Sequence, residues 1–186
     1  AEREIIDEAY AGDIIGVFDP GIFSIGDTLC APGKKFRFDP IPTFAPEHFK
    51  RVRSLDTMKR KQFLKGMEQI AQEGAIQIFK TPYTGMEEVI VGVVGTLQFD
   101  VLEYRLKNEY NVELYMEGLP YEYLRWIETD DGEPVKEEDL ILGTDVKLVE
   151  DYKGNQLLLF GSQWAIGWTE ERNKNLTFHE FGGTKF

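Results

Sequence analysis

Seven cationic side chains crowd the sixteen positions from 50 to 65: Lys50, Arg51, Arg53, Lys59, Arg60, Lys61 and Lys65, with Asp56 as the one acid among them. Basic side chains at this density suit a polyanion, because each charge that meets a phosphate releases a condensed counterion. The rest of the chain makes the cluster stand out. The 186 residues hold 33 acids against 21 bases, a formal net charge of −12. Residues 34–66 alone reverse that sign, with ten bases against three acids. Residues 1–33 hold one base and seven acids, residues 67–118 three and nine, and residues 119–186 seven and fourteen. An acidic chain repels nucleic acid at long range, so any contact with RNA must run through the local basic segment. The bland alternative is a solvated helix face whose charges are met by nearby acids.

Other chemistries find less support. A phosphate-cradling loop needs two glycines with four residues between them, then Lys and Ser or Thr. Gly33-Lys34-Lys35 lacks the earlier glycine and the hydroxyl, and Gly92-Val93-Val94-Gly95 sits late in a strand, where close backbone packing explains it. Asn173-Lys174-Asn175-Leu176 fails the Asn-Lys-x-Asp pattern at its last position. The chain is therefore expected neither to bind nor to hydrolyse GTP. His48 and His179, the only histidines, each lie beside a carboxylate and read as surface or packed residues rather than general bases. Cys30, the only cysteine, excludes an internal disulfide, and with two histidines it makes a zinc site implausible. The acidic runs at 130–133 and 137–139 lack the alternating ligands of a calcium loop. Trp164 and Trp168 stand one helical turn apart and are expected in the core rather than on a stacking platform. No catalytic, cofactor-binding or metal-binding residue is assigned. No apolar run of ~18 residues is present, and the acidic amino terminus has no apolar leader core, so a soluble cytoplasmic chain is expected.

The elements that must carry the basic segment follow from periodicity. Residues 1–39 show strand and turn signals, with the apolar run at Ile14, Ile15, Val17 and Phe18 broken by Asp19-Pro20-Gly21 and Ile25-Gly26-Asp27. Pro32-Gly33, Pro40 and Pro42 read as a linker. Residues 44–53 are extended. Asp56 caps a helix over 57–73, with Phe63, Leu64, Met67, Ile70 and Ala71 at helical spacing and Gly74 at its end. On that helix Lys61, Lys65 and Gln69 lie off the apolar stripe, and Arg51 and Arg53 share one strand face. Residues 76–79 alternate as a strand, 81–85 turn, 89–94 form a strand buried on both faces, Thr96 caps a second helix and 112–116 alternate again. The order is βαββαβ, a ferredoxin-like split unit within an α+β chain. From 119 to 186 the order can be read a second time: strand 121–128, a short helix starting in 134–140, strands 146–150 and 157–160, a helix from Ser162 to Asn173, and a strand at 176–179. An RNA-recognition module shares this order but needs a K/R-G-F/Y-G/A-F signature that is missing, and Ile76–Phe79 and Val89–Val94 suit a core better than base stacking.

A resemblance now enters. Ala11-Gly12-Asp13-Ile14 and Ile25-Gly26-Asp27-Thr28-Leu29 resemble the closing strands of the second, β-barrel domain of translational GTPases. Ile41-Pro42-Thr43-Phe44-Ala45-Pro46-Glu47, Lys65-Gly66-Met67, Glu73-Gly74-Ala75, Val91 to Val101 (VGVVGTLQFDV), Arg105-Leu106 and Glu109-Tyr110-Asn111-Val112 closely resemble the third domain of the bacterial peptide chain release factor 3 family. Leu97-Gln98-Phe99-Asp100-Val101 separates it from elongation factor G, which carries a Gly-Glu-Leu-His type of sequence there. The resemblance implies a C-terminal piece: 1–39 as the last strands of the barrel and a linker, 40–118 as a ferredoxin-like first half of the third domain, and 119–186 as its second α/β half. It also implies a ribosome-dependent parent GTPase, with GTP or GDP held outside this chain, that promotes departure of class I release factors after peptide release. The fragment would be a monomer with no catalysis of its own. Its partners would be rRNA, a small-subunit protein and, through the ribosome, class I factors. The seven basic residues then become candidate ribosome contacts. The rivals are a fragment of elongation factor G, a free-standing acylphosphatase-like enzyme, for which no catalytic arginine loop with an asparagine partner is found, and a small RNA-binding module.

Overall fold

A computed structural model describes residues 3–39, 44–82 and 88–180. The expected linker at Pro40 and Pro42, the turn beyond Pro82 and the chain end from Phe181 lie outside the described residues. The chain divides into two units, Ala1–Asp39 and Pro40–Phe186.

The first unit is a series of local turns. Asp19 Oδ1 accepts hydrogen bonds from the amides of Gly21, Ile22 and Phe23, and these donors, Gly21 first, hold its carboxyl below the usual range. Asp13 and Asp27 close similar turns on Tyr10 and Ser24. Phe36 and Phe38 pack edge to face at 4.8 Å. The strands expected here are not formed as a ladder among the described residues; Ile14 and Phe18 are exposed. The apolar run has strand composition, but a strand exists only through the partner that takes its N–H and C=O groups.

The second unit is an α+β fold on one antiparallel sheet. Its strands are β1 (His48–Ser54), β2 (Gln77–Lys80), β3 (Glu88–Val93), β4 (Leu114–Leu119), β5 (Tyr123–Thr129), β6 (Val146–Asp151), β7 (Gln156–Phe160) and β8 (Leu176–His179). The helices are α1 (Arg60–Gln72), α2 (Leu97–Tyr110) and α3 (Gln163–Arg172). The sheet runs β4-β1-β3-β2-β6-β7-β5-β8. Each group of four strands therefore has the ferredoxin-like order 4-1-3-2, and the two groups meet at their second strands, where Phe79 faces Asp151 and Lys80 faces Glu150. The second group lacks a full first helix. The short helix expected in 134–140 is a 3-10 turn at Glu137–Asp139, too rich in adjacent acids and too short in apolar spacing to propagate.

Alternation along the strands explains the core. In β3, Val89, Val91 and Val93 pack with Phe63, Met67 and Ile70 of α1 and Phe99, Leu102 and Leu106 of α2, while Ile90 points the other way. In β7, Leu158 and Phe160 pack with Ala165 and Ile166 of α3, while Leu157 and Leu159 point away. The helix-free sides share one cluster: Phe49, Phe79 and Ile90 from the first group, and Leu124, Trp126, Val149, Leu157 and Leu159 from the second. The sheet thus curls so that its helix-free faces cover each other, and β3 and β7 read as continuous apolar runs because both of their faces are buried.

Two glycines are required by close approach. A Cβ on Gly66 would stand 2.8 Å from Leu106 Cδ1 where α1 crosses α2, and one on Gly92 would stand 2.7 Å from the ring of Pro46. Gly92 is thus a packing residue, the reading its place in a strand suggests. Asp56 caps the 3-10 turn that leads into α1 by accepting from Met58 N, and Ser162 caps α3 by accepting from Ala165 N. Thr96 precedes α2 without a side-chain cap.

One core assignment fails. Trp164 is 73% exposed and Trp168 half-buried. In ten residues α3 turns Ala165, Ile166 and Thr169 inward, so residues 164 and 168 fall on the rim of that stripe or beyond it.

Candidate functional site

The basic segment spans β1, the turn after it and the first half of α1, and its members divide by the face each position takes. On β1, Arg51 and Arg53 share the face of Phe49, while Lys50 shares that of Val52. Arg51 sits between two carboxylates from the flanking strands, Nε 2.8 Å from Glu88 Oε1 and Nη1 3.2 Å from Glu117 Oε2. Arg53 lies over the ring of its cross-strand neighbour Tyr115, 4.6 Å from the centroid. The Lys50 ammonium stands 4.7 Å from the centre of Phe99 at the start of α2. Three of the seven charges are thus held by groups of the fold itself.

The helical members differ again. Lys59 Nζ donates to Asn111 O at 2.7 Å, at the carbonyl end of α2, where the helix dipole favours a cation. Arg60 also has a partner in the fold. Lys61 and Lys65, four residues apart on α1, are exposed, and neither makes a hydrogen bond or ion pair among the described residues. Phe63, Gly66, Met67 and Ile70 hold the opposite side of that helix against the sheet. The structure therefore does not gather seven charges into one patch. It leaves Lys61 and Lys65 as the two of the seven with no hydrogen-bond, ion-pair or aromatic-ring partner among the described residues.

Below them an ion-pair network ties the helices together. Arg105 of α2 bonds both carboxylate oxygens of Glu73, the residue ending α1, and both oxygens of Glu109 one turn on. The Arg105 hydrogen bond holds the Glu73 carboxyl below its usual range, and both partners raise the guanidinium further. The Tyr110 hydroxyl donates to Gln69, and burial pushes its ionisation up.

The remaining candidates are placed plainly. His48 is exposed on the rim of a shallow groove of about 720 Å3 that Lys50, Phe99, Tyr121 and Arg125 also line. His179 Nε2 lies 3.3 Å from Glu128 Oε2 at the β5–β8 edge. Cys30 Sγ donates to Phe36 O. Among the described residues no three His, Cys, Asp or Glu side chains cluster for a metal ion. Asp131 accepts from the Glu133 amide, which lowers its carboxyl, so this acidic run is shaped by its own turn. No helix among the described residues is long and apolar enough to cross a membrane. The exposed face of α3 escaped sequence reasoning, and Gly167 between the two indoles was its available signal.

Residues 38–170 match the family described as Class II release factor RF3, C-terminal domain. The chain is 49% identical over 177 residues to the peptide chain release factor 3 of Symbiobacterium thermophilum, covering 95% of this chain and 33% of that protein. It is 44% identical over 179 residues to the protein of the same name from Gloeobacter violaceus, covering 96% and 33%. With that of Staphylococcus saprophyticus the identity is 44% over 171 residues, covering 92% and 32%. The chain spans about one third of the length of these relatives.

Proposed function

We propose that this chain, which belongs to the class II release factor RF3 family as its C-terminal domain, docks a translation termination factor on the ribosome and transmits its nucleotide-dependent change of state. The relatives' name places the family in translation termination, within protein biosynthesis. In the full-length factor, GTP or GDP would be bound outside residues 1–186, and its hydrolysis on the ribosome would accompany departure of a class I release factor. The chain itself carries no chemistry in this reading and acts in the cytoplasm as a monomer. Residues 40–118 and 119–186 would act as the two halves of one third domain, behind the end of a barrel domain at 1–39. One sheet through both halves suits this role, because a continuous ladder with a shared core passes a displacement on as a rigid body.

The observation that carries the proposal is the pair Lys61 and Lys65. An acidic chain presents two exposed cations on a helix held rigidly from behind, with no acid drawn onto them. A polyanion supplies the missing counter-charge, and rRNA phosphates are the polyanion of the ribosome. Lys50, Arg51, Arg53, Lys59 and Arg60 would support the surface by shaping it. The test is Lys61→Glu with Lys65→Glu in a full-length factor. Both sites are exposed, so stability should change by less than about 0.5 kcal/mol each. Ribosome affinity should fall, and its log–log salt dependence should flatten by up to about two phosphate contacts. Unchanged affinity at low salt would leave the pair as an ordinary solvated face.

A further inference from the structure

The outer face of α3 offers a surface that the basic segment does not explain. Trp164 is 73% exposed, and Trp168 lies one turn further on. Between them Gly167 faces open space: a Cβ added there meets nothing within 4 Å. Gln163, Trp164, Gly167, Trp168, Glu171 and Arg172 line a shallow cleft of about 430 Å3.

The glycine is the informative residue. Gly66 and Gly92 have no side chain because neighbouring atoms already fill the space. Gly167 has no such neighbour, yet a glycine inside a helix costs about 1 kcal/mol relative to alanine. The fold gains nothing from its bareness, whereas an occupant lying between the two indoles would. An indole left largely in water beside such a gap is also the residue type that dominates binding surfaces.

The charge of the surroundings selects the occupant. Bases can stack on indoles, but a polyanion would meet a segment, residues 119–186, with fourteen acids and seven bases. Glu171 is in the lining itself and Glu170 is exposed beside it. Arg172, the one cation of the lining, is stacked on Trp168 with its guanidinium 4.0 Å from the ring centre. A second copy of the chain brings the same acidic rim and a net charge of −12. A cationic protein segment meets complementary charge, and an apolar side chain on it fits over Gly167.

We propose that the Trp164–Gly167–Trp168 face of α3 docks a basic amphipathic protein segment, which seats an apolar side chain between the two indoles. The probe is a synthetic peptide with leucine and lysine at amphipathic helical spacing, titrated into the 186-residue chain by calorimetry and tryptophan emission. Controls are the same peptide with glutamate for lysine, and a uridine oligonucleotide. The lysine peptide should bind, shift the emission to the blue and weaken with salt, and the glutamate peptide should not bind. Trp164→Ala, which truncates an exposed anchor, and Gly167→Arg, which fills the gap with bulk and like charge, should each weaken binding about tenfold or more. Both variants should keep the wild-type unfolding midpoint or exceed it, since neither side chain enters the core. Equal binding to Gly167→Arg, or none to the wild type, would overturn the proposal. So would preferential binding of the oligonucleotide, or self-association of the chain abolished by Gly167→Arg.

Discussion

The ammonium of Lys59 donates to the main-chain carbonyl of Asn111 at 2.7 Å, so a side chain entering α1 closes the carboxyl end of α2. Asn111 is itself in the left-handed region, at φ 54°, and its amide and that of Val112 both return to Leu106 O. Asparagine tolerates that backbone where most residues do not. The tight turn sends the chain directly into β4, the neighbour of β1, and so fixes the strand on which Tyr115 and Glu117 meet Arg53 and Arg51.

Asn111→Val should therefore destabilise the chain by about 1–2 kcal/mol, since a β-branched residue resists positive φ. Asn111→Gly should stay within about 0.5 kcal/mol of wild type. Urea midpoints for the three proteins decide it; equal midpoints for valine and asparagine would show that the turn can rearrange at no cost.

Gly92 separates packing from nucleotide binding. Its absent Cβ would stand within 3.0 Å of the Pro46 ring and the Phe79 ring. Proline cannot rotate out of the way, and Phe79 is held in the central cluster. Gly92→Ala should cost about 1–3 kcal/mol in unfolding free energy. Gly167→Ala, with open space at its Cβ, should instead stabilise by up to about 1 kcal/mol. If the two substitutions behaved alike, local crowding would not be the cause.

The Glu73–Arg105 pair predicts a pH dependence. Glu73 ionises below its ordinary value of 4.5 in the folded chain, first because Arg105 hydrogen-bonds it. A depressed carboxyl contributes stability that is present above its unfolded pKa and lost as pH falls through the folded one. Glu73 is partly in water, so the contribution is under about 1 kcal/mol. Glu73→Gln should lie below wild type at neutral pH, and the gap should close on acidification below about pH 4. Stability curves for both proteins across that range provide the measurement, and a gap that persists in acid would point to lost packing instead.

Much of the architecture was legible because the core-forming residues keep strict periods. Phe63, Met67 and Ile70 announce α1, and Ile14 to Phe18 announce strand composition with equal clarity. The first reading holds because the helix makes its own hydrogen bonds. The second does not become a ladder because strands need a partner that composition cannot supply. Trp164 was misplaced for a related reason: hydrophobicity alone assigned it inward, whereas the phase of Ala165, Ile166 and Thr169 decides the buried side. The basic cluster was legible as a count. Its division was not, because Glu88 and Glu117 reach Arg51 only through pairings distant in sequence.

That division yields the last prediction. Arg51 and the pair Lys61 and Lys65 belong to one basic run, yet their charges have different fates. Arg51 is two-thirds buried as a side chain and bridges β3 and β4 through Glu88 and Glu117. Arg51→Gln would leave those two carboxylates near one another without a cation, so its cost should fall on stability, at about 0.5–1.5 kcal/mol. Its guanidinium is engaged by those carboxylates rather than by phosphates, so the salt dependence of ribosome binding by the full-length factor should keep its slope. Lys61→Gln with Lys65→Gln should do the opposite, leaving the urea midpoint in place while flattening the salt slope. Binding by both variants should be compared at two or more salt concentrations, since affinity at a single one cannot separate the terms. If Arg51→Gln flattened the slope as much as the lysine pair, its carboxylate partners would have to release it on docking, and the two groups would act as one surface.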